Sequence, residues 1–321
     1  MSLYTGGHTT LLSADACQTA IDAVAWEVYE RDEQPSYLSS RNTTFFKQKS
    51  LDTIAWIFDE YSGVPNIEDH GEQEEVKTVD VFIGNQKIQR VTIFKNDYPI
   101  SWEAFKTDKV GLRDRIGQDV GDAARRTQDY KAAIDCYGDA FAGANFTTPD
   151  GQALASNSHT TLRGDTVDNL ETNAMAPDTM DTLVTRLEAQ LGQHGEFGGN
   201  VVAGVLVPRN LYKRAKEILN SALEADTGEN NLNIFDTDYG QLSIKQTPLL
   251  NSTFNSASNA NTSYHIVSHN HHITRRVLSE LQLEMIEPKF TKTDSFVERV
   301  RFAEVTYPET YFGFAASNGS V

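Results

Sequence analysis

The sequence predicts an α+β fold, and three observations lead there. Apolar side chains recur every three or four positions from Gly111 to Phe141, the pattern of one long amphipathic helix. Runs of β-branched and aromatic residues lie on both sides of it, at 76–94 and after 281. Between them, over residues 170–280, helix and strand patterns interleave, as in a compact α+β module.

In chain order, Ser13 is placed to cap a first helix, in which Ala20, Ile21, Val24, Ala25 and Val28 keep helical spacing. Residues 33–40 read as an extended arm or loop, and a short apolar run follows at 51–58. The acidic stretch 66–75 opens into Val76–Ile83, where Val79, Val81 and Ile83 alternate. Gly84 and Asn85 offer a turn and Ile88–Phe94 a second strand, so the region predicts a hairpin. A two-stranded ribbon this polar has little core of its own and calls for another surface to lie on.

The helix from Gly111 to Phe141 would extend about 45 Å, far beyond the usual three turns. Its apolar positions are Leu112, Ile116, Val120, Ala123, Tyr130, Ile134, Tyr137 and Phe141, a single stripe on which a sheet could lie lengthwise. Next come a loop over 142–151, a helix at 177–191, a buried strand at 201–207 and a helix at 208–221 with Pro208 in its first turn. Strands are expected at 242–245 and 264–267. The runs 281–287, 297–302 and 305–314 could share one sheet.

Composition narrows the function. Net charge is −17, from 45 Asp and Glu against 28 Lys and Arg, the reverse of a phosphate-neutralising surface. An acidic wall can still enclose DNA without adhering to it. No apolar run approaches the roughly 20 residues of a membrane span, and residues 1–7 lack the pattern of a signal peptide. Cys17 and Cys136 form no CxxC pair and read as reduced thiols.

Nucleotide-loop, zincin and nucleophile-elbow motifs are missing from the sequence, and no catalytic, cofactor-binding or metal-ligating residue is assigned. Asp236–Gly240 has the start of a calcium loop, but Thr247 stands where a bidentate Glu is required, so it reads as a turn. His265, His269, His271 and His272 fall within eight residues. On one continuous strand His265, His269 and His271 would share a face, which allows either a metal site or a pH-responsive interface contact.

Residues 148–160 resemble a stretch that follows the long helix in major capsid proteins of tailed bacteriophages, especially Mu-like head subunits. Asp150, Gly151, Ala153, Leu154, Ser156 and His159 match, while Ala155 replaces the usual aromatic residue. Asn169–Leu170 falls where that family opens its next helical region. Leu206, Val207, Pro208, Leu211, Ala215, Ile218 and Leu219 are similar to its strand-and-helix unit. The ordered matches cover roughly residues 55–315.

The resemblance implies the Hong Kong 97-type phage capsid fold. It implies an N-terminal arm at 1–50 and a peripheral domain at 51–65 and 96–169 containing the spine helix. An E-loop hairpin would occupy 66–95, an axial domain 170–280, and return strands of the peripheral domain 281–321. It implies a self-assembling, non-enzymatic subunit without cofactors. Hexamers and pentamers would form an icosahedral head around double-stranded DNA, with scaffolding, portal and decoration proteins as partners and no membrane. Its place would be the virion, after assembly in the host bacterial cytoplasm. The long charged segment that precedes the arm in the founding member is not evident here. Two alternatives are an encapsulin-type nanocompartment shell and, more distantly, a metal-dependent enzyme using His265–His272.

Overall fold

The computed structural model describes residues 14–31, 36–67, 69, 72, 76, 78–81, 83–103, 111–223, 232–239, 242–257, 259–286 and 295–319. Along the chain run helix α1 (Ala14–Glu30) and strands β1 (Lys47–Ser50), β2 (Ala55–Tyr61), β3 (Ile83–Arg90) and β4 (Thr92–Ser101). Helix α2 (Leu112–Lys131) is followed by short strands β5 (His159–Thr160), β6 (Thr166–Val167) and β7 (Leu170–Glu171). Then come α3 (Pro177–Glu188), β8 (Val202–Pro208), α4 (Tyr212–Leu219), α5 (Ile234–Asp238) and β9 (Ser243–Thr247). Strands β10 (Tyr264–Ser268), β11 (Ile273–Ile286), β12 (Ser295–Pro308) and β13 (Phe314–Ser317) complete the chain. Among the described residues no helix is long and apolar enough to cross a membrane.

The chain divides into two units. The first comprises residues 1–33, 92–128 and 278–304. Here β12 pairs antiparallel with β4, from Ser295 opposite Ser101 to Glu304 opposite Thr92, and β11 lies on its other side. Alternation puts Phe296, Glu298, Val300 and Phe302 on one face of β12, and all four are buried. Ala25 and Tyr29 of α1 and Val120 and Ala124 of α2 pack with Leu281, Val300 and Phe302. Phe94 stacks on Phe302 with ring centroids 4.8 Å apart. The two helices approach so closely that a Cβ on Gly121 would run into the Ala25 carbonyl. Glu298 interrupts these apolar residues: it is fully buried and neither carboxylate oxygen has a hydrogen-bond partner.

The second unit comprises residues 34–91, 129–277 and 305–321. Its five-stranded sheet has the order β7-β13-β10-β8-β9, with β8 parallel to β9 and antiparallel to β10. Every residue of β8, β10 and β13 is buried, so these strands read as continuous apolar runs rather than alternating ones. One face carries Val205, Val207, Ile266 and Ala315 against Leu183 and Leu187 of α3 and Ala215 and Ile218 of α4. The other carries Leu206, Val267, Phe314 and Ala316 against Ala133, Cys136, Tyr137 and Ala140.

Several expected elements differ. The long helix is α-helical only to Lys131, and Ala132–Gly138 continues as a π-helical turn. Its apolar stripe shifts there: Tyr130 is exposed, whereas Ala132, Ala133, Cys136 and Tyr137 are buried. The hairpin pairs β2 with β3, Ala55 opposite Arg90 and Tyr61 opposite Ile83. Gly84 and Asn85 therefore lie inside a strand, not in a turn, and Thr92–Ser101 belongs to the sheet with β12. Asn169–Leu170 enters strand β7 instead of a helix. The run 305–314 divides: Val305–Pro308 ends β12, and Phe314 begins a strand of the other sheet. Ser13 and much of 66–75 lie outside the described residues.

Candidate functional site

The β2–β3 ribbon is the feature whose surface asks for a function. Its outer face carries Ile57, Tyr61, Ile83 and Ile88, and Ile54 and Val64 lie just outside the two strands, each of the six more than half exposed. Scattered exposed apolar residues are ordinary, but a row on one ribbon marks a contact surface.

The inner face is fastened to its own unit by polar groups. Alternation turns Trp56, Phe58 and Glu60 inward. Glu60 is 2% exposed and accepts from Asn85 Nδ2 of β3 and from Gln193 Nε2, both at 3.1 Å. Burial pushes its carboxyl above the usual carboxylate range, against the pull of those hydrogen bonds. Lys87 donates to the Thr147 carbonyl and, at 3.1 Å, to its hydroxyl, and burial pushes its ammonium below the ordinary lysine value. Near the ribbon's start, the Arg276 guanidinium lies 4.0 Å over the Trp56 ring and pairs with buried Glu309 at 2.7 Å.

The loop that receives Lys87 is the one the sequence singled out. Asp150 accepts from His159 Nδ1 at 2.7 Å, with both side chains buried, and from the Thr148 hydroxyl. His159 Nε2 faces the Leu154 carbonyl at 3.2 Å, and the ring stacks on Tyr311 at 4.2 Å. Gly151 has φ +82°, the left-handed turn that favours glycine. Asn169 donates to the Leu154 carbonyl at 2.8 Å and accepts from the Ser156 amide. Asp150, Gly151, Leu154, Ser156 and His159 thus form one self-bonded loop whose role is to hold shape. Burial alone would raise the Asp150 carboxyl, but the hydrogen bonds from His159 and Thr148 outweigh it and hold it below its ordinary value.

The histidines do not converge. Strand β10 ends at Ser268, so His269 leaves the strand face on which His265 lies. His265 is enclosed by Tyr137, Phe141 and Phe314 at 5.4–5.9 Å, with neither ring nitrogen hydrogen-bonded. His269, His271 and His272 line an open groove of about 760 Å³ with Lys47 and Lys49, surroundings that repel a cation. Burial pushes His265 and His271 down to about 3, so neither titrates near neutrality. Among the described residues no group of His, Cys, Asp and Glu could hold a metal ion. Asp236–Asp238 lies in α5, capped by Asn233, rather than in a turn. The sequence reading missed Glu60 and Lys87, and the available signal was a carboxylate at an inward strand position.

Three comparisons bear on these surfaces. A family model described as phage capsid protein matches residues 84–315, more than two thirds of the chain. No curated protein matches the sequence. Among solved structures, the capsid of an empty GTA particle superposes with a TM-score of 0.55 at 10% identity, over 94% of this chain and 99% of that one. The capsid of Myoviridae phage XM1 gives 0.52 at 13% identity, over 90% and 94%. A virus-like particle from Pyrococcus furiosus gives 0.51 at 9% identity, over 93% and 98%. At such identities the likeness is one of fold.

Proposed function

This chain belongs to the phage capsid protein family, and on that premise we propose that it is the shell-forming subunit of a tailed-phage head, building hexamers and pentamers that close into an icosahedral shell around double-stranded DNA. Its fold is of the Hong Kong 97 type. The observation that carries the assembly reading is the ribbon: fastened on one face and apolar on the other, it is suited to lie on a neighbouring copy. In this reading residues 1–50 are the arm, the ribbon region is the E-loop, and α2 with its π-helical continuation is the spine. The module at 170–280 is then the axial domain. Many moderate contacts of this kind add up through multivalency in a closed lattice. The acidic balance suits a wall that repels the packaged polymer. Scaffolding, portal and decoration proteins would be its partners, and the host cytoplasm its place of assembly.

Electron microscopy of the purified protein tests this directly. Closed uniform shells, or rings of five and six, are the expected result, and DNA-filled particles carrying a portal separate a phage head from a cargo-storing nanocompartment. A small discrete oligomer that never forms a lattice would overturn the proposal.

A further inference from the structure

In the first unit, the buried β12 row holds two ionisable groups, Glu298 between Phe296 and Val300 and Glu304 at its end, and Glu298 is the one enclosed by apolar neighbours of the row. No described cation meets it. On α1, Asp22 is the group that acts on it electrostatically, by repulsion, and one oxygen of Asp22 is likewise buried without a partner. Elsewhere on α1, Glu27 pairs with Arg31, and Tyr29 donates to Glu280 of β11 at 2.7 Å. On α2, Arg115 and Asp119 are exposed and Asp122 pairs with Arg125. On β4, Tyr98 stands opposite Glu298, while Asp97 is exposed and taken by Arg299. Glu284 of β11 is exposed. Helices α1 and α2 lie in close contact at Gly117 and Gly121, where an added Cβ would come within 3.0 Å of the Ile21 carbonyl and closer still to the Ala25 carbonyl.

We propose that Glu298 and Asp22 form a proton-controlled fastening for α1: the helix stays seated on the sheet while the pair retains a proton and loosens when both carboxyls ionise. Glu298 is fully buried without a partner, and the buried Oδ1 of half-buried Asp22 has none either, so charging both is costly, whereas water would solvate both once α1 lifts. Burial first, and Asp22 second, push Glu298 up to about 7, and burial raises Asp22 as well. A folded-state value above the unfolded one means that seating loses stability as pH climbs from the ordinary carboxyl range through about 7.

Hydrogen exchange of the full-length protein, read as protection factors corrected for intrinsic rates, tests this. Protection across residues 21–30 is expected to fall about tenfold between pH 6 and 8, while α3 stays constant. In Glu298→Gln the fall should vanish, and in Asp22→Asn it should shrink, so the second variant serves if the first fails to fold. Constant protection of α1 in the wild type, or the same fall in the variants, would overturn the proposal. None of these outcomes depends on whether shells form.

Discussion

Asp150 and His159 illustrate what one residue pair contributes to a loop that packs under the ribbon. Both are buried and bonded to each other, so Asp150→Asn weakens a buried hydrogen bond to a charged acceptor, a change that costs about 1.5–3 kcal/mol. Urea denaturation should register that loss as a lower midpoint with an unchanged slope. The Asp150 carboxyl is held below its ordinary value, so its contribution is present above about pH 4 and disappears as pH falls through its lowered value. The variant should therefore lack that part of the wild-type loss of stability below pH 4 in an acid titration. The sequence made Asp150, Gly151 and His159 visible as a motif. It could not reveal that they bond to one another, because that depends on a left-handed turn at Gly151 folding the loop back. Glu60 was invisible for a related reason: in a chain so rich in carboxylates, only burial separates one from the solvated rest.

Helices and strands carry their own predictions. Gly121→Ala would push a methyl group into the Ala25 carbonyl of α1, and overpacking of this kind costs about 1–3 kcal/mol. Thermal unfolding should show it as a lower Tm, with secondary structure retained. For the ribbon, replacing residues 64–81 with a short Gly/Ser linker leaves the β2–β3 pairing and its polar fastening intact. The subunit should stay folded by circular dichroism while particle yield in electron microscopy drops sharply. Normal particles would show that this part of the ribbon takes no part in assembly. The long helix was legible as far as Lys131 because its 3.6-residue pattern holds to there, and β8 and β10 were legible as short continuous runs bounded by polar residues. The pairing of β2 with β3 was not, since local alternation at 76–94 suggests a tight hairpin. The tertiary solution instead hands Thr92–Ser101 to β12, whose buried row rewards that strand more than a ribbon can.

At the scale of the whole molecule, charge sets how copies meet. With a net charge of −17, subunits repel one another at long range, and salt screens that repulsion within about 10 Å at 0.1 M. Light scattering should show assembly accelerating as ionic strength rises from about 20 to 200 mM, a range over which the Debye length shortens severalfold. The free subunit should not retard duplex DNA in a gel at physiological salt, because its net charge of −17 opposes the phosphates instead of neutralising them. Composition alone is the basis for these expectations. It could not foresee that the chain would divide into two units, since each is assembled from three separated segments. The division gives the Cys136 thiol a practical use. It is 1% exposed in the second unit's core, and burial pushes it well above the ordinary thiol value. A maleimide reagent can therefore reach it only through transient opening, so its labelling rate is a clock for how often that core breathes, in free subunits and in finished particles alike.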